Sequence, residues 1–295
     1  MRALLIDIGN SRIKWRIVDP RLDWRQHDDE AAIDHDDSGS LAVCDTQQIA
    51  QRFSAIREPS LVAVHLSNVA GADVEDAVRT AVSAALGEVS VHALVPNAMQ
   101  CGVINGYRDK SRLGPDRWAA MLGAHALLPD RHVLVCGFGT ATTIDLLLIE
   151  GVDGRACFVG GLILPGIEAM RRTLARDTAR LPLARGEVVD FAVCTADAIA
   201  SGIVAAQAGA VTRAARDART RIAGRHREGI AAPPFACVLA GGDAEIMAAY
   251  LPDIEEPLHI VPDLVLRGLH AVARHGVEDN DADRIHNPAF AHRRS

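Results

Sequence analysis

The sequence predicts an α/β fold made of two similar halves, on three observations. An apolar strand, a glycine-and-hydroxyl turn and a second apolar strand occur in that order twice, at the N-terminus and again from residue 132. Segments with helical spacing of apolar residues follow these strands, as a layered α/β architecture requires. With 295 residues, 49% of them hydrophobic, the chain can bury one large core or two ordinary ones.

The first half opens with an apolar strand from Ala3 to Ile8, a turn at Gly9, Asn10 and Ser11, and a second strand in which Ile13, Trp15 and Ile17 alternate with polar residues. That alternation puts Lys14 on the surface side, with a role near bound phosphates as the alternative. His27 to Gly39 is dense in Asp and His without periodicity and reads as a solvated loop. Leu61 to Leu66 is a further strand. Val74, Val78, Val82 and Leu86 share one face of a helix that Asp73 can cap and Gly87 can end. A second helix runs from Pro115, suited to a first turn, to Leu128 before Pro129. The second half repeats the opening: strand His132 to Cys136, turn Gly137 to Thr140, strand Thr142 to Leu148. Next come an Ala-rich helix from about Thr195 to Arg219, a strand Phe235 to Leu239 ending in Gly241 and Gly242, and a helix from Leu264 to about Arg274. After Gly276 aliphatic residues nearly vanish, which predicts a disordered tail. The domain boundaries read from this pattern are 1–115, 116–275 and a tail 276–295.

Composition excludes several classes. A net charge of -7 leaves no basic footprint for nucleic acid. No apolar stretch is long enough for a membrane span or secretory core, so a cytoplasmic protein is expected. The six cysteines stand singly and read as reduced thiols in or near the core. The only lysines are Lys14 and Lys110, and neither sits in the Gly-Lys-Ser/Thr context of a P-loop. Any ATP must be held by another architecture.

Gly137-Phe138-Gly139 after a strand invites a dinucleotide fingerprint. Thr142 stands at the third glycine position, however, and the run from Thr143 to Leu148 is strand-like where a helix is needed. The turn makes more sense beside its counterpart at Asp7 to Ser11. Glycines let backbone N–H groups approach a phosphate, and Asn10, Ser11 and Thr140 add donors without a competing charge. Asp7 suits a ligand or outer partner of the Mg2+ that accompanies ATP. Each turn alone is equally an ordinary hairpin; the duplication favours the nucleotide.

The arrangement resembles the superfamily of actin, heat-shock ATPases and sugar kinases, and within it the type III pantothenate kinases. Leu113-Gly114-Pro115-Asp116-Arg117 is similar to that family's Leu-Gly-x-Asp-Arg motif, with Tyr107 at the position of its preceding tyrosine. Gly139-Thr140-Ala141-Thr142-Thr143-Ile144-Asp145 resembles its second phosphate loop. Further matches in family order are Gly160 to Gly166, Leu181-Pro182, Thr195, Gly241-Gly242-Asp243-Ala244 and Asp263 to Leu269.

The resemblance implies duplicated actin-like (ribonuclease H-like) ATPase domains with a cleft between them. It implies a kinase that phosphorylates the 4'-hydroxyl of pantothenate from ATP and Mg2+, the first step of coenzyme A synthesis. Asp116 is then the general base, and its place at a helix start predicts an ionised carboxylate. Tyr107, Gly114, Pro115, Arg117 and Thr195 would line the pantothenate site, with Arg117 shaped for carboxylate or amide oxygens. Gly9, Asn10, Ser11, Gly139, Thr140, Ala141 and Thr142 would hold phosphates, and Gly241 and Gly242 adenosine. Part of the pantothenate pocket comes from a neighbouring subunit in this family, which implies a homodimer. Gly137 departs from the family's Asp ligand for a monovalent cation, K+ or NH4+, and puts that dependence in question; Lys110 replaces a frequent Pro. Two other readings are a kinase for a different small hydroxylated substrate and, as for Bvg accessory factor-like relatives, a regulator of gene expression acting by partner binding.

Overall fold

The computed structural model describes residues 2–24, 38–56, 61–150, 155–178, 183, 185–225 and 232–286. Most of the Asp- and His-rich stretch, the Leu181-Pro182 pair and the last nine residues lie outside them. The chain forms two compact units. One comprises Met1–Cys101, Asp109–Ala126 and Val265–Ser295, and the other Gly102–Arg108 and Leu127–Leu264. This division differs from the single cut at 115/116 drawn from the sequence.

In the first unit, β1 (Arg2–Ile8) is central and apolar almost throughout, as a strand covered on both faces must be. β2 (Arg12–Val18) and β3 (Ser38–Ala42) extend the sheet antiparallel on one side, while β4 (Leu61–Asn68) and β5 (Ser90–Ala93) run parallel on the other. The order is β3-β2-β1-β4-β5. Leu4, Ile6, Ile8, Ile13 and Trp15 pack with Phe53 of α1 (Thr46–Ala55) and with Val78 and Val82 of α2 (Ala72–Leu86) in one core. α2 starts one residue before Asp73, with Gly71 as its N-cap at φ 102° and no side-chain cap. Asp73 therefore lies in the first turn rather than capping it, and Gly87 ends the helix as expected, at φ 75°.

Two further helices complete this unit. α3 (Pro115–Leu127) buries Trp118, Met121 and Leu122. Among the described residues α7 is the last helix and runs Leu264–His286. It approaches α3 so closely that a Cβ on Gly268 would lie 1.9 Å from the Ala119 carbonyl oxygen. The tail expected from Gly276 onward is instead helical to His286. Asp279, Asn280, Asp281 and Asp283 are poor helix formers, but Arg274 donates to Glu278 at 3.0 Å one turn on, across Gly276.

The second unit repeats the topology. β8 (His132–Phe138) pairs antiparallel with β9 (Ala141–Glu150), which pairs antiparallel with β10 (Arg155–Pro165); β11 (Phe235–Ala240) and β12 (Leu258–Ile260) continue parallel from β8. The order β10-β9-β8-β11-β12 is the same as in the first sheet, with the same strand directions, and β7 (Val103–Asn105) adds to its β10 edge; the two-residue β6 (Met99–Gln100) precedes β7 in the chain. This is the duplicated actin-like fold. α4 (Ile167–Asp177), the long α5 (Thr195–Ala223) and the short α6 (Ala244–Ala248) accompany this sheet. All six cysteines are free thiols; Cys136 and Cys237 are buried, whereas Cys44 and Cys194 are exposed, contrary to the core placement expected.

Candidate active site

In the first unit the β1–β2 turn is closed by the Gly9 N–H donating to the Arg12 carbonyl at 3.0 Å, leaving Asn10 and Ser11 exposed at the tip. Asp7 lies just before this turn. The sheet register places it directly between Lys14 of β2 and Ser67 of β4, so all three side chains leave the same face. Lys14 is half-buried and lowers the Asp7 pKa electrostatically, so it is a neighbour of the site and not the plain surface residue its alternation suggested. Asp7 Oδ1 and Ser67 Oγ are both enclosed without a hydrogen-bond partner.

Burial raises the Asp7 carboxyl to about 7, helped by the charge of Asp116 and opposed by Lys14. Asp116, the second residue of α3, is half-buried, and its Oδ1 accepts the Arg117 N–H at 2.7 Å. A Cβ on Gly114 would lie 2.6 Å from the same oxygen, so glycine there makes room for the carboxylate to fold back over the helix start. The helix start alone would hold this carboxylate low. Burial outweighs it, and the Asp116 pKa is raised despite the Arg117 N–H and guanidinium. Arg117 itself is only 7% exposed.

In the second unit Gly139, Thr140 and Ala141 are exposed, whereas Thr142 turns inward at 1% exposure with its Oγ1 unpartnered. The Gly139 N–H donates to the Ala141 carbonyl at 3.1 Å. Gly241, at φ 91°, lies against β8 so tightly that a Cβ would meet the Phe138 carbonyl oxygen at 2.2 Å. The second turn and the Gly241-Gly242 pair are thus brought together by backbone packing. Gly166 reaches the turn as well, donating its N–H to the Thr140 carbonyl at 3.1 Å. Beside Gly137, Thr143 Oγ1 stands 2.8 Å from where a Cβ would be.

Tyr107 stacks on Phe158 with centroids 5.5 Å apart, and its N–H donates to Asn105 Oδ1 at 3.0 Å. Thr195 is exposed at the first turn of α5. Sequence reading missed Ser67, which only the parallel pairing with β1 places beside Asp7. It also quoted Asp145 without a role; this carboxylate is 1% exposed, with Oδ1 occupying the space a Cβ on Gly161 would need.

Among the described residues no three His, Cys, Asp or Glu side chains cluster as a self-sufficient metal cage. Mg2+ does not need one, since it binds through one or two carboxylates plus phosphate oxygens and water. The enclosed, unpartnered Asp7 Oδ1 fits that donor set.

A family model described as type III pantothenate kinase matches residues 3–217. A type III pantothenate kinase of Herminiimonas arsenicoxydans is 40% identical over 275 residues, covering 92% of this chain and 97% of that one. One from Aromatoleum aromaticum is 41% identical over 281 residues, covering 92% and 97%. The crystal structure of a conserved Campylobacter jejuni protein assigned to the Baf family of transcriptional activators shares the fold, with TM-score 0.52 at 18% identity over 93% of this chain and 99% of that one.

Proposed function

The chain belongs to the type III pantothenate kinase family, and we propose from that premise how its residues transfer the γ-phosphate of ATP to the 4'-hydroxyl of pantothenate. The reaction is the entry step of coenzyme A synthesis. The observation that carries the proposal is the Asp7 and Asp116 pair, two electrostatically coupled carboxylates beside a glycine turn, both raised by burial.

Asp116 accepts the proton of the 4'-hydroxyl as its oxygen bonds to the γ-phosphorus and the bond to the β-phosphate oxygen breaks, releasing ADP. Its raised pKa suits a base better than an unperturbed carboxylate would. Asp7 would hold Mg2+, which neutralises phosphate charge when bound. Gly9, Asn10 and Ser11, and likewise Gly139, Thr140 and Ala141, supply phosphate donors; Thr142 shapes the second turn from inside. Gly241 and Gly242 give adenosine a flat backbone surface. Gly114 and Pro115 set the Asp116 pose, and Tyr107, Arg117 and Thr195 line the pantothenate site.

The same reading includes a cytoplasmic homodimer. It is supported by the exposed Val188, Val189, Phe191 and Val193 just before Thr195, with Phe191 at 96% exposure. Gly137 supplies no side chain for K+ or NH4+, which favours weak or absent dependence on these ions. The test is ATP- and Mg2+-dependent formation of 4'-phosphopantothenate across a K+ series. Product at every K+ concentration is expected, and no product at any would overturn the assignment.

A further inference from the structure

Gln207 of α5 is fully buried at 0% exposure, on a helix whose other inward residues include Ile203, Val204, Val211 and Ala215. A primary amide in such a place is costly unless hydrogen-bonded, and a leucine would fill the space without that cost. Its Nε2 donates to the Pro165 carbonyl at 2.8 Å and lies 3.3 Å from Met170 Sδ. Because a carbonyl can only accept, the amide orientation is fixed by its partner. The other end, Oε1, is enclosed without a hydrogen-bond partner. Core stability alone does not account for a residue that leaves half its polar group unsatisfied to reach one carbonyl.

That carbonyl belongs to a special peptide. The Pro165 C=O and the Gly166 N–H are the two ends of one planar group, and the N–H donates to the Thr140 carbonyl at 3.1 Å. A Cβ on Gly166 would come within 2.1 Å of the Gly139 oxygen and 2.7 Å of the Thr140 oxygen, so the contact demands glycine. Glycine also leaves the peptide free to rotate, since it tolerates conformations on both sides of φ. Gln207 grips the far end of the group and opposes that rotation.

We propose that Gln207 is a positioning residue for phosphoryl transfer, locking the Pro165-Gly166 peptide and through it the turn Gly139 to Ala141. The proposal rests on reading that turn as a phosphate loop. Its signature is selectivity: the Gln207 bond acts on phosphate groups and leaves adenosine contacts at Gly241 and Gly242 alone.

The test compares Gln207→Leu with wild type for binding of adenosine and of ATP with Mg2+, and for kcat and KM in pantothenate phosphorylation. Unchanged adenosine affinity, ATP affinity weakened about tenfold and a lower kcat with unchanged KM for pantothenate are expected, tenfold being the scale of one buried hydrogen bond. Equal loss for adenosine and ATP, or no loss for either, would overturn it. If Gln207→Leu does not fold, Gln207→Asn, whose amide is one methylene too short, is read in the same way. Failure of both to fold would make Gln207 a core residue only and would also overturn it. Failure of the kinase assignment shows separately, as wild-type protein that makes no phosphopantothenate.

Discussion

Asp7 is protonated in the folded protein up to about pH 7, against an ordinary carboxyl value of 3.8. The native state therefore binds more protons than the unfolded chain between these values, and the Asp7 contribution to stability falls as pH rises through that window. Asp7→Asn should remove this slope, making the metal-free variant more stable than wild type above pH 7 and nearly equal to it near pH 4. Denaturant unfolding of both proteins across pH 4 to 8 measures the difference. Mg2+ should also raise the melting temperature of wild type more at pH 8 than at pH 6, because protons compete for the same oxygen. Asp116→Asn should lower turnover by at least about 100-fold while leaving the melting temperature within a few degrees. Unchanged turnover would remove Asp116 from the role of base. Both acids were legible in the sequence because each stands in a short motif. Ser67 and the true place of Lys14 were not, since their nearness to Asp7 is a matter of register across three strands.

Helices announced themselves where punctuation was strong. α2 ends at Gly87 and α3 begins at Pro115, and each carries apolar residues at helical spacing. β3 escaped because Ser38–Ala42 is small and polar, the composition of an edge strand. α7 was read too short because aliphatic residues nearly vanish after Gly276, while the Arg274–Glu278 pair carries the helix across it. This helix is fastened to the first unit twice. Arg267 and Arg16 approach the Trp24 ring at 5.2 and 4.9 Å, and Gly268 touches the α3 backbone. Gly268→Ala would force a methyl group into the Ala119 carbonyl, and a loss of about 1–3 kcal/mol is expected in urea unfolding despite alanine's better helix propensity. A neutral or stabilising result would contradict that close approach.

At the scale of the molecule, the duplication was visible as strand, turn, strand occurring twice, and the two sheets bear it out with identical strand order and direction. What the sequence concealed was membership. Val265–Ser295 belongs with the first unit through contacts such as that of Gly268 with Ala119, and Asp109–Ala126 partly through the nearness of Asp116 to Asp7, pairings far apart in sequence that no local pattern encodes. Assembly adds one more expectation: Phe191→Ser should shift the protein from dimer to monomer in sedimentation velocity at micromolar concentration, with Thr195 and α5 left intact. A dimer of unchanged stability would move the interface elsewhere.

The return of α7 to the first unit also sets a timetable for synthesis. The ribosome releases β1 to β5 well before α7, so the first unit lacks that helix until Leu264–His286 has emerged, while Gly102–Leu264 can already be complete. The nascent first sheet must wait with part of its apolar surface uncovered, and a premature stop anywhere before Leu264 strands it in that state.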